Sequence, residues 1–99
     1  SATYMRKAAE AGFAPAMTGL GLLVHSGVDA EESPADWFER AAEAGDPQGR
    51  FLYAVALSEG DGRERDAEAA LLLVDGLIAD PEVDPALKDQ AKKLRRRLR

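Results

Sequence analysis

Ninety-nine residues, 45% apolar and 31% charged, describe one globular domain with a continuous but thin core and not a disordered chain. Cysteine is absent, which excludes a disulfide framework and thiolate chemistry, and no apolar run approaches the about 20 residues of a membrane-spanning helix. The net charge of −5 conceals an asymmetry: residues 1–90 set all eighteen acidic residues against seven basic ones, a balance of −11, whereas residues 91–99 carry six basic residues and no acid.

In chain order, the turn residues predict six helices, at about 2–11, 15–26, 34–44, 47–59, 67–79 and 85–98. Gly12 and Gly45 each follow Ala-Glu-Ala and suit left-handed positions just past a helix end, where a side chain would clash with the backbone. Gly27 and Gly60 end the second and fourth helices. Ser33-Pro34, Asp46-Pro47 and Asp84-Pro85 each place a capping oxygen before a proline at the first helical position, where the missing N–H costs nothing. Asp66 is a fourth cap candidate. No segment alternates with period two over a useful length, so no strands are expected. The connections alternate between very short ones and longer ones at 27–33 and 60–66, as a succession of antiparallel helix hairpins requires.

The same words occur twice. Arg6-Lys7-Ala8-Ala9-Glu10-Ala11-Gly12 returns 33 residues later as Glu39-Arg40-Ala41-Ala42-Glu43-Ala44-Gly45. Overlaying 1–33 on 34–66 places Tyr4 on Trp37 and Met5 on Phe38, and Leu20, Leu22 and Val24 on Tyr53, Val55 and Leu57. In each first helix an aromatic, an alanine and a glycine fall on one stripe (4, 8, 12 and 37, 41, 45), where small residues admit a neighbour and the aromatic fills the wider end. A fixed period of this size marks a helical array in which each unit buries its apolar face against its neighbours.

Trp37-Phe38-Glu39-Arg40-Ala41-Ala42-Glu43-Ala44-Gly45-Asp46, together with Met5 to Gly12 followed by Ala16, Leu20, Gly21 and Gly27, resembles the Sel-1-like repeat family, a tetratricopeptide-like class. The resemblance covers about residues 1–66. Pro34 and Gly49 stand where that family prefers alanine, and the link at 28–33 is short for it. It implies an all-α, right-handed α/α solenoid of about three antiparallel hairpins: repeat 1 at 1–33, repeat 2 at 34–66, and a degenerate capping hairpin at 67–99. The last helix supports the cap, since Leu87, Ala91, Leu94 and Leu98 form one narrow apolar stripe among charged residues.

Candidate chemistry is sparse. His25 is the single histidine, without a second histidine or a cysteine to make a metal site, and its expected role is to touch the last carbonyls of its helix. Asp80, Glu82 and Asp84 lack the central glycine and distal glutamate of a calcium loop and read as turn and cap residues. Gly19-Leu20-Gly21 lies inside a helix, where glycine costs about 1 kcal/mol against alanine, so it reads as a close helix contact. No nucleophile, base and orienting group can be assembled, so no enzymatic activity, cofactor or metal is expected.

The resemblance therefore implies a protein–protein interaction or scaffold module, often bacterial, with first helices lining the concave side. The partner-binding candidates are Arg6, Lys7, Glu10, Asp36, Glu39, Arg40 and Glu43. The alternative is an anion-directed adaptor whose basic patch, Lys92, Lys93, Arg95, Arg96, Arg97 and Arg99, docks on nucleic acid or acidic membrane. A cap whose cations complement the helix dipole explains that patch as well, and the segment contains no aromatic for base stacking. The first helix, with no polar helix ahead of it, is a candidate surface for self-association. The expected setting is a soluble protein of bacterial cytoplasm or periplasm.

Overall fold

A computed structural model describes residues 2–27 and 32–99; most of the expected link at 28–33 lies outside the described residues. Within them the chain forms α1 (Ala2–Glu10), α2 (Ala14–His25), α3 (Pro34–Glu43), α4 (Pro47–Glu59), α5 (Ala67–Ala79) and α6 (Pro85–Leu98), and no strand. Each helix packs on its neighbours in the chain. Among the described residues α2 also touches α4, and α4 touches α6, whereas α1 does not reach α3 and α3 does not reach α5. The second helices of the pairs are therefore the ones drawn together. The Cα radius of gyration, 13.0 Å, is that of a compact domain of this length, about 13 Å.

The repeated words produce repeated hydrogen bonds. After α1, the Phe13 N–H donates to Ala8 O and the Gly12 N–H to Ala9 O, both at 3.0 Å, with Gly12 at φ 98°. After α3, the Asp46 N–H donates to Ala41 O and the Gly45 N–H to Ala42 O, again at 3.0 Å, with Gly45 at φ 94°. Both are Schellman ends, in which a left-handed residue closes the last carbonyls. The start signals divide. Asp46 and Asp66 cap as expected, accepting from the N–H groups of Gly49 and Ala69 at 3.0 Å. Ser33 and Asp84 make no side-chain cap bond. Among the described residues the Ser33 hydroxyl is buried without a partner, and Asp84 is exposed.

Two buried clusters form the core. Ala9, Ala16, Met17, Leu20, Val24, Trp37 and Ala41 meet at the N-terminal side. Ala54, Leu57, Ala70, Val74, Leu77, Val83, Leu87, Ala91 and Leu94 meet at the other, which places the apolar stripe of α6 inside as its spacing requires. Trp37 is only 5% exposed, but its sequence counterpart Tyr4 is 77% exposed and fills no gap. The difference follows from packing: Trp37 joins the cluster formed with α2, whereas among the described residues α1 packs on α2 alone.

Close approach is made by glycines inside helices, not by the stripe glycines Gly12 and Gly45, whose missing side chains face open space. A Cβ on Gly21 would lie 2.5 Å from Phe38 Cε1, and one on Gly49 would lie 2.5 Å from Ala41 Cβ and 3.3 Å from its backbone carbon. Gly76 differs, since a Cβ there meets only the mobile end of Arg50, at 2.6 Å from Nη2. Two helix-interior substitutions should therefore change stability in opposite directions. Gly49→Ala should lower it by about 1–2 kcal/mol, because overpacking exceeds the gain in helix propensity, and Gly76→Ala should raise it by up to about 1 kcal/mol. Urea midpoints of the two variants check both signs.

Candidate interaction surfaces

The charged residues of the first helices are largely occupied within the chain. Arg6 donates to Glu32 Oε1, while Glu32 Oε2 accepts from the Trp37 indole N–H at 2.9 Å. One carboxylate thus ties α1 to the buried tryptophan of α3. Its pKa is lowered, first by the Arg6 hydrogen bond and then by the indole N–H. Arg40 lies over the Trp37 ring, 4.2 Å from its centroid. Asp36 and Glu39 both receive Arg63 Nη2, at 2.6 Å each.

Tyr53 completes that second network, donating its hydroxyl to Glu39 Oε2 at 3.1 Å and accepting from Arg63 Nη1 at 3.3 Å. The Arg63 hydrogen bond holds the Glu39 carboxyl below its ordinary range, burial pushes the Tyr53 phenol up, and the two carboxylates raise Arg63 further. Of the candidate contacts, Lys7, Glu10 and Glu43 are exposed without such a role among the described residues. Arg63, in the glycine-rich link after α4, carried no signal in the sequence.

Between the second helices lies a cavity of about 120 Å³ lined by Leu22, His25, Phe38, Leu52, Val55, Ala56, Glu59 and Asp61. Leu22 and Val55, matched in the repeat overlay, are its two equivalent wall residues from α2 and α4. Leu22 is 46% exposed there. At one end His25 Nε2 stands 3.9 Å from Asp61 Oδ2, so the imidazole faces the next link and not the last carbonyls of its own helix. The Ser26 hydroxyl takes that place, donating to Leu23 O at 2.7 Å. The groove therefore has an apolar floor and carboxylates at one rim.

The basic patch divides. Arg95 Nε pairs with Asp75 Oδ1 at 3.3 Å and pins α6 to α5. Lys92, Lys93, Arg96, Arg97 and Arg99 make no ion pair among the described residues. Lys93, Arg96 and Arg97, with Gln90 of α6 and Phe51 of α4, line an open recess of about 540 Å³. Comparison with protein-family models, curated proteins and solved structures found no match. Function has to be read from these surfaces. Among the described residues no three His, Cys, Asp or Glu side chains are placed to hold a metal ion. In the acidic turn before α6, Asp80 Oδ1 accepts from the Glu82 N–H at 2.9 Å. Among the described residues no helix is long and apolar enough to cross a membrane.

The two glutamates set an acid limit. Glu32 and Glu39 sit below the ordinary value of 4.5, so their contribution is complete above that pH and is lost as pH falls through the lowered folded-state values. Replacing Glu39 by glutamine should lower stability at neutral pH and make it fall less steeply between about pH 5 and about pH 3. Urea midpoints across that range measure the slope; a slope identical to that of the unaltered chain would show that the Arg63 network contributes nothing.

Proposed function

We propose that this chain is a non-enzymatic protein-binding module, a short α/α solenoid of the Sel-1-like kind, that holds a partner segment in the groove between α2 and α4. The observation that carries this reading is the groove itself: Leu22, Phe38, Leu52 and Val55 form an apolar floor, and Glu59 and Asp61 stand at its rim. Helical repeats offer such continuous surfaces because neighbouring units repeat one geometry. The repeat-matched pair Leu22 and Val55 is this device at its smallest.

The site shifts from the first helices to the second because Arg6, Asp36 and Glu39 already tie elements of the array together and Arg40 is stacked on Trp37. Lys7, Glu10 and Glu43 flank the other face and are secondary contacts. The partner segment complementary to the groove carries one large aliphatic or aromatic side chain beside a lysine or arginine. The apolar group gains by burial and the cation by meeting the rim carboxylates.

Selection from a random peptide display library tests this directly. Enriched peptides should share an apolar residue next to a cation. Leu22→Asp, at a half-exposed position where folding is preserved, should weaken them at least about tenfold, the effect of about 1.4 kcal/mol, and Glu59→Lys should remove the preference for the cation. Peptides that bind Leu22→Asp as well as the unaltered chain, while circular dichroism shows both folded, would move the site off this groove.

A further inference from the structure

The recess at the end of α6 combines groups that the basic segment by itself does not contain. Its walls are Lys93, Arg96 and Arg97, its amide is Gln90, and its aromatic, Phe51, comes from α4, some forty residues earlier in the chain. Arg95, from the same run, is drawn away to Asp75 of α5. Lys93, Arg96 and Arg97 are left lining the recess, with Arg96 and Arg97 at i+3 and i+4 from Lys93, a spacing that sets their Cβ atoms about 5–6 Å from that of Lys93.

The mixture of groups selects among anions. The guanidinium forks of Arg96 and Arg97 match phosphate or carboxylate oxygens in pairs, and Lys93 adds a point charge. An acidic peptide meets the cations through its carboxylates but carries no obligatory flat ring beside each charge. A nucleotide uses every wall: its phosphates meet the cations, its base face lies on the phenyl ring, and its base edge reaches the Gln90 amide, which both donates and accepts. A duplex hides its base faces in the stack. The acidic remainder of the chain, −11 over residues 1–90, repels any polyanion that overruns the recess and so limits the site to a few nucleotides.

We propose that this recess binds a short stretch of single-stranded nucleic acid, one base on Phe51 with its flanking phosphates on Lys93, Arg96 and Arg97. The site is separate from the α2–α4 groove and stands whether or not that groove binds a peptide.

Fluorescence anisotropy of a labelled thymidine strand of about ten nucleotides, titrated from about 20 to about 200 mM salt, tests it. With three phosphate contacts, the logarithm of the binding constant should fall against the logarithm of salt with a slope of about −2. The double variant Arg96→Gln, Arg97→Gln should reduce that slope to about −0.7. Phe51→Leu, which keeps an apolar side chain against the core, should leave the slope unchanged and weaken binding at least about fivefold. Because Phe51 also touches the core, an abasic strand of equal length on the unaltered protein gives the same comparison without mutation, and the same loss is expected. Equal binding of the abasic strand overturns the proposal, as does equal affinity for a duplex. Polyglutamate of matched charge binding as tightly as the strand would reassign the recess to acidic peptides. Absence of salt-dependent binding would leave α6 as a cap alone.

Discussion

The central helices occupy their positions because side chains are missing where they meet. Gly21 of α2 receives the Phe38 ring, and Gly49 of α4 receives Ala41 and the backbone behind it, each at a distance that no Cβ tolerates. Both contacts converge on α3, so that helix is seated between α2 and α4 by absence of bulk. The burial of Trp37 among Met17, Leu20 and Val24 depends on that seating. So does the buried hydroxyl of Thr18, which donates at 2.5 Å to the same Asp46 oxygen that caps α4. Dispersion falls off within an ångström of contact, so small residues at the crossing points decide whether the larger ones beside them pack at all.

Polar groups then fix the arrangement that packing permits. Glu32 joins Arg6 to the Trp37 indole, and Arg63 draws Asp36, Glu39 and Tyr53 together across α3, α4 and the link that follows. These networks are only half-buried, so their value lies less in raw stability than in orienting elements that share few other specific contacts. Their functional consequence is subtractive. Arg6, Asp36, Glu39 and Arg40 are engaged with the chain itself, which leaves Lys7, Glu10 and Glu43 on the first helices, the α2–α4 groove and the end of α6 as the unengaged features.

Those two surfaces have opposite character. The α2–α4 groove is apolar with carboxylates at its rim, and the α6 recess is cationic with one aromatic wall. A strongly acidic body carrying a concentrated basic end would keep the two proposed ligands, of opposite charge, from competing for one place.

Much of this was legible in the residues. Six helices follow from capping residues, prolines and glycines within one or two residues of their observed ends, and the 33-residue repeat is reproduced in the hydrogen bonds after α1 and α3. The close contact at Gly19-Leu20-Gly21 and the inward stripe of α6 were legible for the same reason: local chemistry and helical period act within a few residues of chain. What only the tertiary structure decided involves residues far apart in sequence. Tyr4 and Trp37 share a place in the repeat, yet one is exposed and the other buried, because burial depends on which helix lies alongside. Arg63 neutralising two candidate contacts, Arg95 separating from its neighbours onto Asp75, and Phe51 entering the basic recess each join elements whose proximity no spacing rule encodes. The chain's own pattern determined which helices form and which faces turn inward. The three-dimensional packing determined which charges are left free, because a charge is used up only by the partner that the fold brings within a few ångströms.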